Sequence, residues 1–239
     1  MRAIAICVAL NMLDGFDVLV MASPLPEWRA NAVAGSEPLG RARDYRKLAR
    51  VKLAPEQVIT HTRAWVDHAV IGLNLCPFAK AVQVRNAVRY VVSETTGIEE
   101  LLAELLHEMT HLIDTDASVL DTTLLIHPWV LNDFFEYNDF LGVADDALQQ
   151  AGFEGVLQVA SFHPQFQFAG TDAEDVTNAT NRSPYPTLHL LREDSVDRAV
   201  AAFPQAESIY QKNIQTLRAL GADGWAELRD SLWGGPGCS

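Results

Sequence analysis

Apolar positions along the chain repeat with two periods, near 3.6 and near 2, and the switches between them mark out alternating helices and strands. Pro55 followed by Glu56 opens a helix whose buried stripe is Val58, Trp65, Val66, Ala69, Val70 and Leu73, ending near Pro77. Val88 to Ser93 reads as a β-branched strand. Thr95 or Thr96 then caps a second helix, since Glu99 lies three residues beyond Thr96. Leu101, Leu102, Leu105, Leu106, Met109, Leu112 and Ile113 give that helix a broad apolar face. A second strand, Thr122 to Ile126, leads to a helix capped by Asn132 or Asp133, in which Phe135, Leu141, Ala144 and Leu148 pack and which Gly152 closes. Val156 to Phe162 and Thr187 to Leu191 complete the strands. Two helices follow, Asp194 to Phe203 and Gln205 to Leu220, the second carrying Ile209, Asn213, Leu217 and Leu220.

Strands joined by helices of about a dozen residues or more require crossover connections, so at least part of the sheet pairs in parallel. The expected architecture is α/β or α+β: a mixed, partly parallel sheet of about four or five strands with packing helices, and a last strand that can run antiparallel. One core domain is expected over residues 54–221, with a tail over 222–239. Residues 1–53 do not follow the pattern. Ala3 to Ser23 is apolar but carries Asn11, Asp14, Gly15 and Asp17, and two carboxylates at mid-depth argue against stable membrane insertion. Pro26, Gly35, Pro38 and Gly40 read as a linker before the core.

Composition adds a large core and an uneven charge. With 239 residues, 49% of them hydrophobic, the chain needs no metal or disulfide staple for stability. A net charge of -13 argues against nucleic acid as a partner, because phosphate binding depends on clustered cations. Six basic residues lie between Arg41 and Lys52, whereas between Arg89 and Arg182 there are 17 Asp or Glu and no Lys or Arg. Three scattered cysteines, Cys7, Cys76 and Cys238, without a CxxC pair, speak against a zinc ribbon and for a reducing cytoplasm as the natural setting.

Several groups could carry chemistry. His107-Glu108-Met109-Thr110-His111 matches H-E-x-x-H, a spacing that places two imidazoles on one helix face as zinc ligands. The short pattern arises readily by chance, and no third-ligand motif follows it. A solvated polar face opposite the leucine stripe is the expectation. The strand ends Glu94, His127-Pro128 and His163-Pro164 share one sheet edge if their strands are parallel, the place where open sheets bind ligands. The long polar segment between Gly170 and Pro186 supplies Asn178, Asn181, Arg182, Ser183 and Tyr185, with His189 and Arg192 just beyond. Arg182 and Arg192 could grip a carboxylate or phosphate while His127, His163 or His189 moves a proton. Cys76 could serve as a nucleophile, or join His127 and His163 around a divalent metal; a buried small hydrophobe is the plainer reading.

At LNLCPFA, TTLLIHP, the NDF around Asn138 and SFHPQFQFAGTDAEDVTNATNRSPYPTLHLLRED, the chain resembles the DUF1415 family of uncharacterised bacterial proteins over roughly residues 55–220. The resemblance implies no reaction. It marks Cys76-Pro77-Phe78, His127-Pro128, His163-Pro164, the run from Asn181 to Pro186, and His189 to Arg192 as signature positions, and it leaves H-E-x-x-H outside them. Within residues 5–26, NMLDGFDVLVMASPLP resembles the opening transmembrane helix of major-facilitator transporters of the aromatic-acid type. Three functions stay open. The first is an enzyme acting on a small anionic molecule, with histidine acid/base chemistry and arginine anchoring. The second is a metal-dependent enzyme with Cys/His ligands. The third is a non-enzymatic ligand-binding or assembly protein. Nothing in the sequence speaks to oligomerisation.

Overall fold

The computed structural model describes residues 53–203 and 205–233. The apolar and basic front with its transporter-like stretch lies outside them, as do Cys7 and Cys238. The elements are α1 (Pro55–Ala64), continued by a wider π-helical segment (Trp65–Ile71), then α2 (Ala79–Val84), β1 (Val88–Val92), α3 (Ile98–Asp114), β2 (Thr122–Ile126) and α4 (Phe134–Gln150). After these come β3 (Leu157–Phe162), a 3₁₀ turn (Val176–Asn181), β4 (Thr187–Arg192), α5 (Glu193–Ala201), a second 3₁₀ turn (Ala206–Ser208) and α6 (Ile209–Leu232).

The four strands form one mixed sheet in the order β1-β2-β4-β3. β1 and β2 are parallel, and β4 runs antiparallel to both its neighbours. β1, β2 and β3 therefore share one direction, and their carboxyl ends share one edge with the amino end of β4. Strict alternation divides the core in two. Leu125, Leu157, Leu188 and Leu190 point to the face covered by α3 and α4, where Leu101, Leu105, Met109 and Tyr137 are fully buried. Leu124, Ile126, Ala160 and Phe162 point to the opposite face, against Val58, Trp65 and Ala69 of the first helical arm and Leu217 and Trp225 of α6. β2 is buried along its whole length, which is why Thr-Thr-Leu-Leu-Ile shows no polar alternation.

Helix ends and faces refine the expectations. Asp133 caps α4 by accepting from the N–H groups of Phe135 (2.9 Å) and Glu136 (3.1 Å). The expected threonine cap of α3 does not form: Gly97 occupies the N-cap position, and Thr95 Oγ1 is paired with Ser93 Oγ at 2.8 Å. Phe135, expected in the core, is 64% exposed. The buried register is instead Phe134, Tyr137, Phe140, Ala144 and Leu148, a 3.6 period that the run of aromatics had blurred. The last helix continues past Leu220 to Leu232. Gly221 breaks it with φ 73°, a conformation open to glycine, and the turns beyond bring Trp225 into the core.

One side chain ties α4 to the sheet. The buried Tyr137 hydroxyl donates to the carbonyl of Thr187 (2.9 Å) and accepts from the N–H of Phe162 (3.0 Å), where β3 ends and β4 begins. Burial pushes its phenol far above the ordinary range, so the hydroxyl keeps its proton. Tyr137→Phe keeps the ring but leaves both backbone groups without that partner. We expect a loss of about 1–3 kcal/mol in urea unfolding with an unchanged m-value; a loss below about 0.5 kcal/mol, the scale of a neutral surface change, would show that the tie is dispensable.

Candidate functional site

The sheet separates the signature residues into two groups. On the face covered by α1, α6 and α5 lies a cavity of about 160 Å³. Its walls are mostly apolar, among them Trp65, Val70, Phe78, Leu124, Phe162 and Leu191, and His189 lines it together with Thr122. Cys76 is part of the same wall and is disulfide-bonded, so it contributes surface there and not a thiolate. Asp121 and Ser195 also line the cavity. Asp121 accepts from Arg85 Nη2 at 2.7 Å and from Ser195 Oγ at 2.6 Å, so its carboxylate is already satisfied.

His189 sits in the middle of β4, opposite Leu124 of β2 and Ala160 of β3. Alternation turns it toward the cavity face while Leu188 and Leu190 enter the other core. Its Nε2 lies 2.6 Å from Thr122 Oγ1, and its Nδ1 is buried without a hydrogen-bond partner. The ring is only partly buried, and it packs at 6.0 Å from the Phe162 ring. Desolvation lowers its pKa to about 4, which makes it a neutral imidazole at physiological pH.

His127 and His163 occupy the carboxyl edge on the opposite face, on either side of Tyr137. Their ring centroids lie 5.7 and 5.0 Å from the Tyr137 ring. His127 Nδ1 is 3.0 Å from the Val130 carbonyl, so it carries the proton and Nε2 is left as a buried acceptor without a partner. His163 Nδ1 accepts from the N–H of Gln165 (3.0 Å), and Nε2 donates to the Leu131 carbonyl (3.3 Å). Burial holds both near pKa 4. The sheet thus lies between Cys76 and these two histidines, and among the described residues no group of three or more His, Cys, Asp or Glu side chains is placed to hold a metal ion.

The long segment after β3 spends its polar groups on itself. Asn178 Oδ1 accepts from Phe168 N–H (3.0 Å) and Thr171 Oγ1 (2.8 Å), and its Nδ2 donates to Asp172 O (2.8 Å). Arg182 donates to the carbonyls of Phe166 and Ala173, drawing the loop closed. Asn181 donates to Ser161 O (3.4 Å), while its Oδ1 is buried without a partner. Ser183 Oγ donates to Tyr185 O (2.6 Å), and Tyr185 Oη lies 2.7 Å from His61 Nδ1. Arg192, at the opposite sheet edge, donates to the carbonyls of Leu112 and Thr115 at the end of α3 and to that of Leu120. Both arginines therefore serve the backbone, Arg192 as a C-terminal cap for α3.

The H-E-x-x-H helix also departs from a simple solvated face. Glu108 is buried and accepts a two-point contact from Arg89 of β1, Nε to Oε2 at 2.7 Å and Nη2 to Oε1 at 3.1 Å. His107 and His111 are exposed. Thr122, the hydrogen-bond partner of His189, and Trp65, which also lines the cavity, were not candidate site residues from the sequence. The available signal was the alternation Thr122, Leu124, Ile126, which puts a hydroxyl on the same face as two core residues.

The sequence model of a protein family of unknown function, DUF1415, matches residues 57–227. The chain belongs to the DUF1415 family. Searches of curated proteins and of solved structures gave no match. The DUF1415 match covers all four strands and both residue groups, the cavity set and the edge set. Among the described residues, no helix is long and apolar enough to cross a membrane.

Three histidines held near pKa 4 against an ordinary 6.5 have a measurable consequence. The unfolded chain binds more protons than the native one in that window, so stability is complete above about pH 6.5 and falls as pH drops through 4. We expect urea unfolding between pH 7 and 5 to lose up to roughly 1 kcal/mol per pH unit for each histidine. His189→Gln is expected to reduce that slope by about a third. A pH-independent midpoint over this range would contradict the buried, neutral assignment.

Proposed function

We propose that this DUF1415 domain binds a small, largely apolar molecule in the cavity between the sheet, the π-helical segment, α2 and α5, with His189 and Thr122 as polar residues of its wall. The observation that carries this reading is a mostly apolar cavity whose wall also includes His189 and its hydrogen-bond partner Thr122. Ligand sites are characteristically apolar pockets with few, well-placed polar groups. The volume of about 160 Å³ is in the range that accommodates a molecule the size of benzene.

Anchoring of an anionic substrate by Arg182 and Arg192 gains no support, because both guanidinium groups are committed to backbone carbonyls. A metal-dependent reaction through Cys76, His127 and His163 gains none either, since the sheet stands between the cysteine and the histidines. The loop from Gly170 to Pro186 is read as a structural strap, closed by Asn178 and Arg182, and not as the docking element of an assembly protein.

The test is occupancy by a neutral aromatic probe. Toluene and indole should raise the melting temperature of the full chain and perturb the NMR signals of Leu124 and Phe162. Ala199→Phe, at a half-buried position of α5 that lines the cavity, should weaken that binding at least about tenfold, because the added ring takes up space the ligand needs. Equal binding to wild type and A199F, or no binding to wild type, would overturn the reading.

A further inference from the structure

Two short helices border the cavity, and neither has a buried residue. α2 contributes Ala79 and Val82 to the wall, and α5 contributes Ser195, Val196 and Ala199. Their inward side chains meet the cavity and not a close-packed core, so dispersion contacts hold these helices less firmly than the elements around them. What joins them lies at their ends. Arg85, just past α2, donates from Nη2 to Asp121 Oδ2 at 2.7 Å, and Ser195, in the first turn of α5, donates from Oγ to Asp121 Oδ1 at 2.6 Å. The Asp121 carboxylate thus bridges the two helices. It is fixed to the sheet, because the Asp121 N–H donates to Ala87 O at 2.8 Å. Arg198, one turn further along α5, donates from Nη2 to the same Ser195 Oγ at 3.0 Å. At the other end, the rings of Phe78, just before α2, and Phe203, just past α5, meet edge-on with centroids 5.6 Å apart. The start of α2 therefore faces the end of α5, and the end of α2 faces the start of α5. The two helices run antiparallel across the cavity, with a polar contact at one end and an aromatic contact at the other.

We propose that α2 and α5 form a gate over the cavity, latched by Asp121, whose hydrogen bonds to Ser195 and Arg85 are released when a ligand enters or leaves. This rests on the pocket reading above and adds how that site exchanges its contents. The polar end is the one that lets go. The aromatic end continues into a small core of its own, in which Phe78, Val200 and Phe203 pack on the buried Ala206 and Ile209. The polar end lacks that backing: the Arg85 side chain is 50% exposed, so water competes for its hydrogen bonds and the net worth of the ion pair is small. Local opening draws on elements with few buried contacts, and α2 and α5 are such elements.

Amide hydrogen exchange on the full chain reads the gate without a ligand. Amides of α5 should exchange at least about tenfold faster than those of β4, and Ser195→Ala should speed α5 by a further factor of about five, the scale of one lost hydrogen bond, with β4 unchanged. Arg85→Met releases the same carboxylate from the other side of the cavity and should act on α2 in the same direction. Toluene binding, followed by exchange NMR, reads the function. Ser195→Ala should raise the association and dissociation rates of toluene alike, by about fivefold, and leave its Kd within about twofold, because a gate changes access and not the bound state. Amides of α5 as protected as those of β4, or toluene rates unmoved by both Ser195→Ala and Arg85→Met, would overturn the gate while leaving the pocket reading intact. Failure of toluene to bind wild type would overturn both.

Discussion

The structure depends on the pairing of β2 with β4 at the centre of the sheet. Both strands are covered on two sides, so every side chain must satisfy one core or the other, and a slip of one residue would exchange them. The register Leu124↔His189 and Thr123↔Leu190 places leucines 188 and 190 under α3 and α4 and leaves His189 on the far side. Because β4 enters antiparallel between two strands of the opposite sense, its first residue lies beside the ends of β2 and β3. Tyr137 can reach both β3 and β4 there with one hydroxyl.

The buried histidines follow from that constraint. An imidazole taken out of water loses its charged form unless an anion compensates, and of the 17 carboxylates between Arg89 and Arg182 Asp133 acts on His163 but is outweighed by burial. Glu108, which comes closest to the core, is already held by Arg89. His127, His163 and His189 consequently act as neutral donors and acceptors. At the edge, His163 finds partners for both nitrogens on the backbone and His127 for one; in the middle of the sheet, His189 has Thr122 alone. His127 is equally one-partnered, so what makes His189 the candidate for meeting a ligand is its place in the cavity wall.

Most of the fold was legible in the sequence. β2 matches its expected bounds, and β1, β3 and β4 lie within a residue of theirs. α3 and α4 follow from leucine spacing and from Asp133. The misplacement of Phe135 came from four aromatics within seven residues, which give no phase, and the expected end of the last helix at Leu220 falls just before Gly221, where the helix breaks and restarts. The candidate site was legible only as a set of residue types. Arg182 and Arg192 have the composition of an anion clamp, yet whether a guanidinium faces a ligand or a carbonyl depends on which unsatisfied helix end or loop lies within reach.

The sequence by itself determined which segments are strands and helices, that the sheet is mixed, and that histidines stand at its strand ends, because these depend on local periodicity, turn residues and chain connectivity. Tertiary structure alone decided that Cys76 and His189 share a cavity while His127 and His163 lie across the sheet from it. It also decided that Thr122 is the hydrogen-bond partner of His189. Both depend on strand order and register, which bring together residues 67 positions apart through pairings that no local pattern encodes.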